Sequence, residues 1–186
     1  RHWDGEPVTL KKLVDSGKLG EIYQMQAVRN KPKMPREWWR SNKEISGGEL
    51  MDWGAHILEW MLQLSGSQVK SVLCGVHKLR WHWCTNEENA SMMIIFENGV
   101  VGEFRTSQLG PVKRNFSAIV WGSEGTGCVE DTDEGKKVHV FKCGNNGQIS
   151  STETFSLETD DWKRFYFNIA NHLHYGEPLV ITPEHS

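Results

Sequence analysis

The chain has 186 residues, a formal net charge of −3 and a sequence pI near 6.3. This length suits one domain with a substantial core. The slightly acidic balance gives no basic footprint for nucleic acid or an anionic membrane, and no apolar run approaches the roughly 20 residues of a transmembrane helix. Four cysteines without metal-ligand spacing favour a reducing, cytoplasmic setting.

The N-terminal third predicts a helix, a strand and a loop. Pro7 can open a helix that ends near Gly17. Residues 21–29 alternate between apolar and polar side chains, which predicts a half-buried strand. The polar segment 30–45 follows, and its aromatic and basic residues include Trp39 and Arg40. Long loops of this kind are often functional, although these tryptophans could equally fill the core.

The central stretch, Ser46–Gly66, predicts one long helix. Ser46 and Glu49 have the spacing of a capping box, and Gly66 suits a left-handed helix end. Apolar residues cover most of the helix circumference, which predicts that the helix is largely buried. The apolar positions are Leu50, Met51, Trp53, Ile57, Leu58, Trp60, Met61, Leu62 and Leu64. A narrow polar stripe remains, formed by Asp52, His56, Glu59 and Gln63.

Asp52 and His56 are the strongest chemical signal in this helix. Residues four apart lie on the same helical face, and a carboxylate beside an imidazole would raise its basicity, as a general base requires. The alternative is a solvent-exposed contact worth a few tenths of a kcal/mol. Gly47 and Gly48 would each cost about 1 kcal/mol in a first helical turn. They would be explained by a substrate or phosphate near the backbone, or by a crowded helix crossing.

The remaining chain predicts mostly strands joined by hairpins. Residues 69–79, extended through 80–84, form one predicted strand. Asn98-Gly99 joins two more, 90–96 and 100–107. Further strands are predicted at 115–121, 128–130, 138–142 and 152–157. His77, His82 and Cys84 lack the compact spacing of a metal site, so no metal is predicted.

Two further segments complete the pattern. The glycine-rich segment 122–127 follows a strand but precedes another strand, so it predicts a sheet turn rather than a dinucleotide-binding loop. The last predicted helix has Trp162, Phe165, Ile169 and Leu173 on one face and ends at Gly176.

Together these elements predict an α+β fold with a largely antiparallel, open sheet of six or seven strands. Two or three helices would pack on one face of that sheet. The other face would then need a partner. A homodimer, or a higher homo-oligomer, that buries the open face is the simplest arrangement.

Several motifs, in this order and spacing, resemble the C-terminal domain of the glucose-fructose oxidoreductase/inositol dehydrogenase (Gfo/Idh/MocA) family. The resemblance runs over nearly the whole chain. The motifs are Arg1-His2-Trp3-Asp4, Ser16–Ile22, Gly47-Gly48, Asp52 with Gly54 and His56, and Asn98-Gly99-Val100.

The resemblance implies a function for these residues. In this family an N-terminal Rossmann domain binds NAD or NADP, and the C-terminal domain supplies substrate contacts and the oligomer interface. His56 corresponds to the catalytic histidine and Asp52 to the aspartate beside it. Trp39 and Arg40 lie in a segment that often shapes the substrate pocket, and Gly47-Gly48 is expected to contact substrate. The implied reaction oxidises a sugar, cyclitol or related alcohol.

The cofactor half of such an enzyme is missing from these residues. The family's E-K-P motif and a glycine fingerprint for NAD(P) do not occur in the sequence. Residues 1–186 are therefore expected to be a single substrate-binding and oligomerisation domain, a C-terminal fragment without its dinucleotide-binding domain. Alone, it is expected neither to bind NADH tightly nor to turn over. The substrate and the choice between NAD and NADP stay undetermined.

Two alternatives belong to other functional classes. Some relatives resemble glycosidases that use bound NAD transiently, and release of a leaving group without net NADH formation would favour that function. A non-catalytic sugar-binding or assembly module is the other possibility.

Overall fold

The computed structural model describes residues 1–110 and 116–182. The described residues form an α+β fold with an eight-stranded sheet, two strands or one strand more than predicted. The strands are β1 (Ile22–Asn30), β2 (Val69–His77), β3 (Asn89–Phe96), β4 (Val101–Ser107), β5 (Phe116–Gly122), β6 (Gly125–Thr132), β7 (Gly135–Cys143) and β8 (Ile149–Ser156).

The sheet consists of two consecutive meanders joined by β1. The strand order is β2-β3-β4-β1-β5-β6-β7-β8. Strand β1 pairs in parallel with β4 and antiparallel with β5, and the other pairs are all antiparallel. The predicted hairpins are thus confirmed, including the sheet turn between β5 and β6.

Two helices, α1 (Gly5–Asp15) and α3 (Ala55–Ser65), pack on one face of this sheet. The other two, α2 (Lys43–Ser46) and α4 (Lys163–Tyr175), have no buried residue. Because side chains alternate along a strand, β1 directs Met25 and Ala27 towards the helices. There they join a core that includes Leu10 of α1 and Met61 of α3. Burial of each such large side chain contributes about 1.5–3 kcal/mol.

The predicted long helix is interrupted. Helix α2 ends at Ser46, and Gly47 and Gly48 both have positive φ angles, 76° and 91°. A π-helical turn over Leu50–Gly54 then leads into α3. The predicted capping box is wrong, because the Glu49 side chain binds Arg29 instead. The helix end is confirmed, since Gly66 adopts the left-handed conformation.

Other predictions also need correction. Strand β2 ends at His77, and residues 80–84 form turns because the buried carboxylate of Glu88 binds the backbone there. Met51 is 67% exposed, because the π turn rotates it away from the core. The predicted last helix is present as α4, but none of its residues is buried. Asn115, the predicted first residue of β5, lies outside the described residues.

The opposite face of the sheet carries no helix and presents apolar side chains. Leu73 of β2 and Met93 of β3 are direct cross-strand neighbours. They are 73% and 42% exposed, and Ile95 lies two residues beyond Met93 on the same face. Within the described residues, no helix is long and apolar enough to cross a membrane.

We expect Gly48→Ala to destabilise the fold more than Gly99→Ala. Both glycines have similar positive φ angles, 91° and 86°, so alanine is strained at each, at a cost of about 1–2 kcal/mol. A Cβ at residue 99 meets open space, whereas one at residue 48 would lie 2.5 Å from Oε2 of Glu87. Glu87 is buried and binds the backbone of Leu50.

Displacement of Glu87 should therefore bring the total cost of Gly48→Ala to about 2–4 kcal/mol. Urea unfolding of the two variants checks the comparison, with Gly99→Ala as the control for backbone strain. Equal losses would show that contact between residue 48 and Glu87 does not constrain the fold.

Candidate functional site

A cleft of about 510 Å³ lies where β1 leaves the sheet. Its walls are the segment after β1, the π turn and the first turn of α3. The basic residues that line it are Arg1, Arg29, Lys31, Lys33, Arg36 and Arg40. Other lining residues include Glu49, Asp52, Trp53, His56 and Trp38.

The side of strand β1 that faces the core continues directly into this cleft. Met25 and Ala27 are buried on the helix-facing side of β1, and the alternation continues to Arg29 and Lys31. The chain stays extended beyond β1, since the backbone N–H of Lys31 donates to the carbonyl of Ser107 at 2.9 Å. Two residues further on, Lys33 is tied to the same neighbouring segment. One face of one strand thus changes from apolar to cationic where the core ends.

Arg29 and Glu49 form a nearly buried ion pair at the base of the cleft. The hydroxyl of Thr106 also donates to Glu49, at 3.3 Å. Burial raises the pKa of Glu49 and lowers the pKa of Arg29, in each case more strongly than the partner's opposite charge counteracts. The pair therefore adds little net stability, but it fixes the positions of β1 and the π turn relative to each other.

The indole of Trp53 is the centre of the cleft wall. The guanidinium carbons of Arg29 and Arg1 lie 4.0 Å and 4.6 Å from its ring centroid, and Nζ of Lys31 lies at 5.4 Å. His56 meets the same ring edge-on, with 6.0 Å between centroids. Trp53 thus places three cations and the imidazole around one flat apolar surface.

His56 faces the cleft as a neutral base. Burial lowers its pKa below the ordinary value of 6.5. The positive charges of the terminal amine and of the Arg1 side chain act in the same direction, and Asp52 and Asp4 oppose them more weakly. The expected rise in basicity is therefore wrong. Among the residues described, neither ring nitrogen of His56 has a hydrogen-bond partner. An imidazole that stays neutral and unpaired can accept a proton from a bound hydroxyl.

Asp52 pairs with Arg40 rather than with His56. Nε of Arg40 lies 3.4 Å from Oδ2 of Asp52. The guanidinium also covers the indole of Trp39, at 4.1 Å from the ring centroid. Asp52 and His56 both line the cleft, as their positions four residues apart predicted, but the carboxylate is held by a residue from the preceding loop.

The predicted site residues are only partly brought together. Arg40, Asp52 and His56 line the cleft, whereas Trp39 stacks behind Arg40 and Trp38 takes its place in the wall. Gly47 and Gly48 lie where the chain turns into the helix, packed against Met51 and Glu87. Crowding thus accounts for these glycines without a ligand, and their contact with substrate stays a prediction.

A loop between β2 and β3 holds this arrangement in place. Oε1 of Glu87 accepts a hydrogen bond from the backbone N–H of Leu50 at 2.9 Å, at the start of the π turn. Its other oxygen lies 3.1 Å from Nζ of Lys43 in α2. Asn86 accepts a hydrogen bond from Ser46 and donates to the carbonyl of Arg40. The loop therefore sets the angle at which α2 meets the π turn.

Glu88 anchors the same loop from the other side. Its side chain is buried and accepts hydrogen bonds from the backbone N–H groups of residues 79–81, at 2.5–2.8 Å. Nζ of Lys78 completes the set at 2.9 Å. Although burial alone would raise it, these donors together lower the pKa of Glu88 to about 2. The carboxylate is thus ionised inside the protein and orders the turn around itself.

Sequence reasoning missed Arg29, Lys31 and Trp53 as cleft residues. Lysine and arginine at alternate positions 29, 31 and 33, directly after an apolar strand face, were the available signal. Trp53 was assigned to the core by helical periodicity, which cannot anticipate a π turn. The described residues contain no group of three metal-ligating side chains.

The family model described as the GFO/IDH/MocA C-terminal domain matches residues 8–127. The chain belongs to this family.

Comparison with known proteins gives a consistent result. The chain is 26% identical to scyllo-inositol 2-dehydrogenase (NADP(+)) IolW of Bacillus subtilis, over 99% of this chain and 56% of that protein. An NAD-binding protein from Listeria innocua shares the fold, with a TM-score of 0.80 and 24% identity over 100% of this chain and 58% of its own.

A third relative carries a sugar-related description. The aldose-aldose oxidoreductase of Caulobacter crescentus, solved with glycerol, has a TM-score of 0.79 and 16% identity over 99% of this chain and 55% of its own. At this identity the likeness shows the fold alone. The chain thus spans little more than half the length of each of these three proteins.

We expect Glu88→Gln to destabilise the protein by about 2–4 kcal/mol at neutral pH. The variant loses a buried negative charge that Lys78 and three backbone N–H groups stabilise. The pKa of Glu88 is depressed when folded, so its contribution is complete above about 4.5, the ordinary value, and is lost as the pH falls towards 2. The stability difference between wild type and variant should therefore shrink from pH 6 to pH 3.

Thermal unfolding of both proteins across this range measures the difference. Glu97→Gln in the exposed β3–β4 turn is the matched control and should change stability little at any pH. A difference that stayed constant down to pH 3 would contradict the assignment of an ionised, structure-bearing Glu88.

Proposed function

We propose that residues 1–186 are the substrate-binding, C-terminal domain of an NAD(P)-dependent oxidoreductase that acts on a sugar, cyclitol or similar alcohol. The observation that carries this proposal is His56, whose imidazole has a lowered pKa, has no hydrogen-bond partner among the described residues and faces a cleft beside Asp52. Family membership and the names of IolW and the aldose-aldose oxidoreductase support the substrate class.

The cofactor would be held outside these residues. The glycine-rich segment of the sequence forms the turn between the antiparallel strands β5 and β6, so it does not fit the phosphates of a dinucleotide. A separate dinucleotide-binding domain would supply NAD or NADP as the hydride acceptor. Residues 1–186 alone would then neither bind NADH tightly nor turn over.

His56 would act as the general base for the substrate hydroxyl. A proton moves from that hydroxyl to a free imidazole nitrogen as the carbinol carbon is oxidised, and the proton later leaves to solvent. Asp52, held by Arg40, is placed to accept a hydrogen bond from a neighbouring substrate hydroxyl.

We also propose that the open sheet face forms a homodimer interface. Exposed Leu73, Met93 and Ile95 form an apolar surface opposite the helices. Such an arrangement is stable when a second copy covers it.

The four cysteines are all free thiols, which supports a reducing, cytoplasmic location.

In the complete polypeptide, we expect His56→Asn to lower kcat/KM by about 10²–10⁴, the usual contribution of a general base. Burial, the largest cause of the lowered pKa of His56, does not depend on the terminal amine. In the wild type, kcat/KM should therefore rise with pH and level off below 6.5. Initial rates of NAD(P)H formation with myo-inositol or glucose, measured from pH 5 to pH 9, check both statements.

His172→Asn in α4 provides the control, because this histidine does not line the cleft. Near-normal turnover of His56→Asn would remove His56 from the mechanism. An activity plateau that begins only well above pH 6.5 would argue against a neutral, buried base.

For the dimer, we expect Met93→Glu to raise the dissociation constant at least about a hundredfold, because a carboxylate buried in an apolar interface has no partner. Ile45→Glu in α2, similarly exposed but away from the sheet, should leave the constant unchanged. Sedimentation equilibrium of both variants gives the result. A monomeric wild type, or equal effects of the two substitutions, would contradict this interface.

A further inference from the structure

The cleft holds more positive charge than its own carboxylates neutralise. Of the six basic residues that line it, Arg29 pairs with Glu49 and Arg40 pairs with Asp52. Arg1 pairs with Asp4, 2.8 Å away. These pairs use both carboxylates in the cleft wall, so among the described residues the remaining cations of the cleft have no carboxylate of their own.

The uncompensated charges are Lys31, Lys33 and Arg36. Within residues 1–110 and 116–182, no carboxylate forms an ion pair with any of the three. They belong to one segment, and its first residue lies on the face of β1 that leads from the core. Concave clefts concentrate the field of such charges.

The cations are also forced close together. Lys31, Arg29 and Arg1 surround the single indole of Trp53 at 4.0–5.4 Å. Partial burial, followed by the charges of Arg29 and Arg1, lowers the pKa of Lys31. Nε of Arg29 is buried and has no hydrogen-bond partner among the described residues. The repulsion between like charges held together in this way decreases when an anion binds between them.

We propose that the molecule bound in this cleft is anionic, a sugar or cyclitol derivative with a carboxylate or phosphate group that binds at Lys31. The inference rests on the proposed function, since it names the substrate class of the same site. Lys31 and His56 lie against the same indole ring, so one sugar-sized molecule can present its hydroxyl to the base and its anionic group to the lysine.

The anionic group bound at Lys31 could also belong to the cofactor, because NAD(P) carries phosphate groups. The two sources of the anion differ in which binding affinity depends on Lys31. A substrate anion makes the affinity for an acidic sugar depend on Lys31 in the absence of any nucleotide. A cofactor phosphate makes only the nucleotide affinity depend on it.

Calorimetric titration of the complete polypeptide tests this inference, with glucose, gluconate and glucose 6-phosphate as probes and without nucleotide. We expect glucose 6-phosphate and gluconate to bind at least about tenfold more tightly than glucose, and this advantage to decline as salt is raised. Lys31→Met keeps the aliphatic stem against Trp53 and should remove most of that advantage. Lys33→Met should reduce it less.

Lys137→Met is the matched control, because Lys137 lies on β7, does not line the cleft and pairs with Glu134. It should leave all three affinities unchanged. Equal affinity for glucose and its acidic derivatives would overturn the inference. A separate titration with NADP⁺ covers the cofactor: a Lys31→Met variant that weakens NADP⁺ binding alone would also overturn the inference.

The test also separates this inference from the proposed function. His56→Asn should keep the preference for glucose 6-phosphate, because it leaves the cations in place. If anion binding depends on Lys31 but no alcohol is oxidised, the proposed reaction fails and the anion site stands. If a neutral polyol is oxidised through His56 without any preference for anions, the reaction stands and the inference fails.

Discussion

Two adjacent buried carboxylates, Glu87 and Glu88, determine where the site is built. A carboxylate removed from water without partners costs several kcal/mol, so each must be surrounded by donors. Glu88 gathers the backbone N–H groups of residues 79–81, and Glu87 takes that of Leu50. The loop between β2 and β3 is thereby fixed to the start of the π turn. The contact between Glu87 and Leu50 therefore fixes the position of the cleft residues on the π turn.

The cleft is a continuation of the core rather than a separate construction. Strand β1 contributes the buried side chains of Met25 and Ala27 to the core, and the same alternation continues to Arg29 near its end and to Lys31 just beyond it. On the helix side, α3 packs against the sheet while the preceding π turn presents Asp52 and Trp53. Rigid elements therefore hold the polar groups on both walls, which favours a preformed binding geometry.

The sequence predicted the parts of this fold that follow local periodicity. Alternation located the strands, and Asn98-Gly99 and Gly66 marked a hairpin and a helix end correctly. Periodicity could not reveal the π turn, because an α-helical pattern assumes a constant rotation per residue. Nor could it pair Asp52 with Arg40, a contact made by a loop that folds back. The lowered pKa of His56 depends on burial, which a sequence does not give.

Strand β1 also bears on how the domain folds. The meanders β2–β4 and β5–β8 pair between strands adjacent in sequence, which is a fast and local process. Strand β1 instead pairs with β4 and β5, both distant in the chain, and it alone connects the two halves of the sheet. Its docking is thus expected among the last events. Since β1 carries Arg29 and leads directly to Lys31, a binding-competent cleft signals that the whole sheet has assembled.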